Sequence, residues 1–310
     1  MFRVSPVRRA VKGDAPAIAQ RVAHQLLDHA RFEPLVCADF SRQEFELALA
    51  HSCGHLWVDD SDGILRGHLY GVTLESTLAG RQTWTGPDGY SYDTSDILHN
   101  LCERAYRSWR EHGALDHLVW ALAGYGTQEW VECGYDIISV RGSLPLDQSP
   151  LVDWPLDHRV RRATPSDLLT AVTFDRLIDA AQGVNVDALS DIERDATTRD
   201  LAESLEDPDT HYFLLEVANK PVAQCVTFTL PALRGSYANT VHVGSLAVAD
   251  EFQRQGLGTA LVRHVLRDAF ESGSGYAEAR WHIDNQPATS FWSTLEFRPT
   301  YVLLRRPLTP

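Results

Sequence analysis

The residues with chemistry in them stand between Val241 and Phe270, in "VHVGSLAVADEFQRQGLGTALVRHVLRDAF". Val241, Val243, Leu246, Ala247 and Val248 make an apolar strand. Leu261, Val262, Val265, Leu266 and Ala269 then recur at helical spacing, so a helix starts near Gly258. Between them lies Gln253-Arg254-Gln255-Gly256-Leu257-Gly258-Thr259. A strand, a glycine turn and a helix start make an anion site. Free N–H groups point outward from the first helical turn, and the macrodipole adds about half a positive charge there. Glycines let a phosphate approach the backbone and let the turn take unusual dihedrals. Arg254 can add a charge-assisted contact. A lone pair of glycines would serve equally as a helix cap. The three-glycine dinucleotide pattern is absent, as is the GK[ST] of a P-loop.

His242 stands four residues before Leu246. An imidazole with a pKa of about 6.5 suits a proton acceptor, and a strand histidine equally suits a solvent face. His282, at the end of the next strand, is a weaker candidate. His51, Cys53 and His55 alternate along one short stretch and supply only three donors, so no metal site is expected. Asp187, Asp191 and Asp195 share one helical face, either solvated or a subsite for a cationic amine.

Downstream, Asn285-x-x-Ala288-x-x-Phe291-Trp292 follows the glycine loop by about 30 residues. Together, Q-x-x-G-x-G after a strand ending Leu246-Ala247-Val248 and this second motif resemble the GNAT acetyltransferase superfamily. The resemblance implies acetyl-CoA as co-substrate. It implies that Arg254, Gln255, Gly256, Leu257, Gly258 and Thr259 cradle the pyrophosphate, with Gln253 part of the same motif. Leu246 and Val248, flanking Ala247, would bond the pantetheine arm through their backbones. Asn285, Ala288, Phe291 and Trp292 would complete the cofactor side. The strands carrying Leu246 and Tyr276–Ile283 would splay to admit the thioester. Some members carry a glutamate base where His242 stands. Their usual tyrosine acid is replaced by Trp292, and an indole cannot give up its proton at physiological pH. Tyr276 and Tyr301 are then the candidate acids, unless the thiolate leaves unprotonated. No Cys or Ser sits in a nucleophile setting, so direct transfer in a ternary complex to a small primary amine is expected. The alternative is a catalytically silent acyl-CoA-binding sensor or regulatory module.

The elements that must position these residues occur twice. "VRRAVKGD" at Val7–Asp14 returns as "VRRATPSD" at Val160–Asp167. Asp14 and Asp167 are N-cap types. Helical stretches follow at 15–30 and 41–50, and at 168–181 and 187–205. Each copy then has a hairpin, turning at Asp62-Gly63 and at Ala218–Pro221. The ends also align, with Trp130 over Trp292. The expected fold is α/β, with a mixed, mostly antiparallel twisted sheet flanked by helices in each of two tandem GNAT-like domains. The expected divisions are 1–141, a linker at 142–158 and 159–310. The tandem plan is similar to that of mycothiol synthases, although no residue selects their substrate.

The first copy lacks the loop. "GPDGYSYDTSDILHNL" stands in its place, and Asp93 and Asp96 near a helix N-terminus would repel phosphate. Only the second copy is therefore expected to bind acetyl-CoA. Trp57, Trp84, Trp109 and Trp120 read as core of the first copy.

The chain of 310 residues has a net charge of −14, which disfavours nucleic acid as a partner. No apolar run reaches a membrane span, and Met1–Asp14 lacks the apolar core of a signal peptide, so no membrane partner is expected. Five scattered cysteines without a CxxC pair fit a reduced cytoplasm.

Overall fold

The repeated "VRRA…D" segment builds the same device twice. In the computed structural model, which describes residues 6–52, 55–61, 63–76, 80–146, 158–181, 185–186, 188–229 and 235–308, the first arginine of each pair lies on an opening strand. Arg161 Nη1 and Nη2 fork onto Asp167 at 2.8 and 2.7 Å, and its Nε reaches Glu216 at 2.7 Å. Arg8 forks onto Asp14 at 2.8 and 2.9 Å and reaches Asp60 at 3.0 Å through Nε. Both aspartates also accept a backbone N–H three residues upstream, from Val11 and Thr164. They close a short 3-10 turn ahead of the first helix. Asp14 makes no side-chain cap to that helix, contrary to its expected N-cap role, because its carboxylate is turned back onto the arginine.

These ion pairs tie stability to pH. Arg161 holds the Asp167 carboxyl well below the usual carboxylate range, and Arg8 holds Asp14 down in the same way. A depressed carboxyl contributes stability above its unfolded pKa of about 4. That contribution is lost as pH falls through the folded value. Arg161→Met should cost about 2 kcal/mol at pH 7 by stranding two largely buried carboxylates. Asp167→Asn should flatten the stability loss between pH 5 and 2. Chemical denaturation across that range checks both.

The chain divides into two units. The first comprises Met1–Arg141, Arg234–Tyr237 and Pro299–Pro310, and the second Gly142–Leu233 and Ala238–Arg298. The elements of the first half are β1 (Val7–Arg9), α1 (Ala15–Phe32), α2 (Arg42–Ser52), β2 (Leu56–Ser61), β3 (Ile64–Tyr70), β4 (Val72–Ser76), β5 (Gly80–Thr85), β6 (Tyr90–Tyr92), α3 (Ser95–Glu111), β7 (Asp116–Leu122), α4 (Thr127–Glu132) and β8 (Asp136–Pro145). The second half has β9 (His158–Arg162), α5 (Leu168–Ala181), α6 (Asp191–Glu206), β10 (Thr210–Val217), β11 (Lys220–Phe228), β12 (Thr240–Val248), α7 (Leu257–Glu271), β13 (Tyr276–His282), α8 (Gln286–Thr294) and β14 (Arg298–Pro307).

In the second unit β9, β10, β11 and β12 pair antiparallel in that order, and β12 pairs parallel with β13. The β10–β11 hairpin turns on Ala218 and Asn219, both with left-handed φ (49° and 62°), as a tight right-twisted hairpin needs. In the first unit the counterpart of β12 is broken. β6 pairs with β3, whereas β5 pairs parallel with β7, and Gly86–Gly89 separates them. This gives two sheets, β1-β2-β3-β6 and one containing β4-β5-β7-β14, where three central strands were expected.

Each unit is completed by a strand from the other half of the sequence. β14 pairs with β7, Tyr301 opposite Leu122, within the first unit. Gly142–Pro145 continue β8 and belong to the second unit, where Ser143 Oγ donates to Glu278 Oε1 on β13. These four residues were expected in the linker, and residues 147–157 lie outside the described part. The first-unit core gathers Leu98, Leu101, Ala105, Trp109, Val119 and Trp130, with Trp57 packed against it.

Candidate active site

The glycine loop adopts the dihedrals of an anion cradle. Arg254 and Gly256 both take left-handed φ, 59° and 82°, with Gln255 between them on the ordinary side. Such alternation turns successive N–H groups toward one concave side. For Arg254 it costs about 1–2 kcal/mol, a strain that the surrounding loop must hold. No side chain caps α7, and its first turn carries no acid, so the positive end of the helix is not neutralised. Gly258 has a different task. A Cβ there would lie 3.3 Å from Val248 Cγ2, 3.6 Å from Phe291 Cε2 and 3.7 Å from Leu246 Cδ2. Its lack of a side chain lets α7 approach β12 and α8. The side-chain amides of Gln253 and Gln255 serve the loop itself, and the Gln255 backbone is not engaged by them. Gln253 Nε2 donates to Val248 O (3.1 Å) and Asp250 Oδ1 (2.8 Å), and Gln255 Nε2 donates to Glu251 O (2.9 Å).

β12 and β13 part beside this loop. Their register runs from Thr240 opposite Tyr276 to Val243 opposite Ala279. Past that point β12 bulges. Thr227 faces Val243 and Val226 faces Ser245, which leaves Gly244 as the extra residue. Only glycine fits there, since a Cβ would stand 2.5 Å from Phe228 Cε1. Beyond the bulge, Ser245–Val248 stay paired to β11 while β13 diverges. The splay expected from the resemblance therefore has a cause in the chain, and its edge suits an extended ligand.

At the base of the splay lies His242. It is buried, so it does not face solvent. Its Nδ1 stands 3.6 Å from Glu278 Oε2 on β13, and the Phe228 ring stacks on it at 5.5 Å and 13°. Glu278 is 4% exposed. Its carboxylate stands nearest to Nδ1 of the imidazole. Sequence reasoning missed Glu278. Its signal was a lone acid between Ala277 and Ala279 in an apolar strand.

The other expected residues fall into place unevenly. Leu246 and Val248 are half-buried beside Gly258, whereas Ala247 is buried against Phe174 and Leu214. Asn285 Oδ1 caps α8 by accepting the Ala288 N–H at 3.0 Å. Trp292 is buried among Trp281, Phe291 and Phe297 with ring centroids 5.0–6.3 Å apart, a packing role that Trp130 repeats beside Tyr90 and Tyr135. Tyr276 pairs with Thr240, six residues or about 20 Å along the strand from Leu246, and so lies at the wrong end to act as the acid. Tyr301 groups with the first unit, fully buried against Val36 and Leu122 with Arg141 4.3 Å over its ring. His282 is exposed, as are Asp191 and Asp195 in the first turns of α6. Asp187 and Cys53 lie outside the described residues, as does the side chain of His51.

In the first unit, β6 carries an internal polar network. Arg21 from α1 donates to Ser91 Oγ (2.9 Å) and Asp93 Oδ1 (2.6 Å), and His68 Nδ1 meets the same Ser91 hydroxyl at 2.7 Å. Burial pushes His68 down to about 3, so it stays neutral. Asp96 sits in the first turn of α3, where a phosphate would have to bind.

Residues 178–297 match the acetyltransferase (GNAT) family. Its second half thus resembles GNAT acetyltransferases. The matched segment begins in α5 and ends at Phe297, so it contains the glycine loop, the splay and the His242–Glu278 pair. An N-alpha-acetyltransferase of Sulfurisphaera tokodaii is 24% identical over 140 residues, covering 41% of this chain and 80% of the relative. Two solved structures share the fold along nearly the whole chain. A GCN5-related N-acetyltransferase from Sphaerobacter thermophilus is 18% identical with a TM-score of 0.63, covering 98% of this chain and 96% of that one. A tandem GNAT protein from the clavulanic acid biosynthesis pathway is 15% identical with a TM-score of 0.52, covering 98% of both chains. The fold along nearly the whole chain is thus shared with a tandem GNAT protein. Among the described residues, no helix is long and apolar enough to cross a membrane and no cluster of three metal donors occurs.

Proposed function

We propose that this acyltransferase transfers the acetyl group of acetyl-CoA to a small primary amine, by direct transfer in a ternary complex, and that only the second unit binds the co-substrate. The observation that carries this reading is the uncapped, acid-free N-terminus of α7 behind two left-handed loop residues. Backbone N–H groups of Arg254–Thr259 hold the pyrophosphate, and the free edge of β12 at Leu246–Val248 orients the arm. Acetyl-CoA, when bound, supplies the thioester carbonyl that the amine attacks. His242 accepts the amine proton, directly or through water, and Glu278 steadies the resulting imidazolium. The thiolate leaves without a dedicated tyrosine acid, which a thiol pKa of about 8.5 permits.

Calorimetric titration with acetyl-CoA tests the asymmetry. One site per chain is expected, followed by amine-dependent release of free thiol. Two sites per chain would mean that the first unit also binds. No site would remove the reading altogether.

A further inference from the structure

We infer that the second unit carries a second small-molecule site, for a neutral polyhydroxylated ligand, at the end of α7 remote from the glycine loop. A cleft of about 230 Å³ lies there, between the last turns of α7 and the ends of β10, β11 and β12. Leu257 and Glu271 bound α7, so roughly 20 Å of helix separates the cleft from the loop. It belongs to no part of the acetyl-transfer site described above.

The walls define the ligand chemistry. Phe213, Val241 and Val265 form an apolar floor. Around it stand the hydroxyls of Thr227, Thr240 and Ser272, with the His211 imidazole opposite Thr227. Thr240 is 3% exposed, and its Oγ1 has no hydrogen-bond partner among the described residues. The lining carboxylate, Asp268, is already met by Arg162 Nη2 at 2.9 Å, so the cleft does not call for a cation. Apolar floor, hydroxyl rim and compensated charge together fit a compact polyol, whose carbons rest on the floor and whose hydroxyls exchange hydrogen bonds at the rim. The volume limits it to a molecule no larger than a monosaccharide or cyclitol.

Saturation-transfer NMR on the full chain, with glycerol, myo-inositol and D-glucose as separate probes, tests this. At least one probe should receive saturation at up to about 50 mM, a concentration suited to millimolar affinity. Ala269→Leu fills the cleft from α7 and should reduce that transfer at least about tenfold, with acetyl-CoA titration unchanged. Thr227→Val, which keeps the shape and removes one hydroxyl, should reduce it less. Should Ala269→Leu fail to fold, Thr227→Val decides alone. Absence of transfer to all three probes in the wild-type chain, or transfer undiminished by the substitutions, would overturn the site.

Discussion

Gly258→Trp should abolish acetyl-CoA binding, raising Kd by at least about 100-fold or ~2.7 kcal/mol. The position is confined on three sides by Val248, Phe291 and Leu246, all within 3.7 Å of a first added carbon. An indole has no room between α7 and β12. It must push the helix start away from the strand, and the N–H groups that α7 presents move with it. Gly258→Ala adds one carbon 3.3 Å from the nearest methyl and should cost less than tenfold, because Val248 needs to give by only a few tenths of an ångström. Gly256→Val reaches the same end by another route. Nothing lies within 4 Å of a Cβ there, so the obstacle is the backbone at φ 82°, which a β-branched residue adopts poorly. Both losses should appear in calorimetric titration without loss of the folded state in circular dichroism. Unchanged affinity in Gly258→Trp would place the co-substrate elsewhere.

Much of this site was written locally, and what was not depended on partners distant in sequence. The loop and α7 were legible because a strand end, two glycines and a 3.6-residue apolar repeat are consecutive. The repeated arginine and aspartate were visible too, but their joint meaning needed Glu216 and Asp60, more than fifty residues from Arg161 and Arg8. Gly244 carried no periodic signal. Its necessity comes from the Phe228 ring on the neighbouring strand. The places of Tyr276, Tyr301 and Trp292 were hidden for one shared reason: residue type carries no register. Tyr276 starts its strand at the end away from the splay, Tyr301 pairs with β7 in the first unit, and Trp292 turns into an aromatic cluster. The interrupted β5–β6 strand was hidden because Gly86–Gly89 reads as an ordinary turn until the separate partners of β5 and β6 are known.

His242→Ala should lower kcat by about 10²–10⁴, the usual contribution of a positioned general base, with little change in acetyl-CoA affinity. The split between turnover and affinity matters because His242 lies at the base of the splay and the loop lies beyond its mouth. Glu278→Gln is the more telling variant. It keeps the shape and the contact with Ser143 while removing the charge 3.6 Å from Nδ1. If Glu278 steadies the imidazolium, kcat should fall by about tenfold, and the pH at which turnover reaches half its maximum should move down, since an imidazole without its carboxylate loses its proton more readily. A merely structural glutamate would change stability and leave that pH in place. Wild-type turnover in His242→Ala would dismiss it as base, and the proton would then have to leave through water along the open edge of β12.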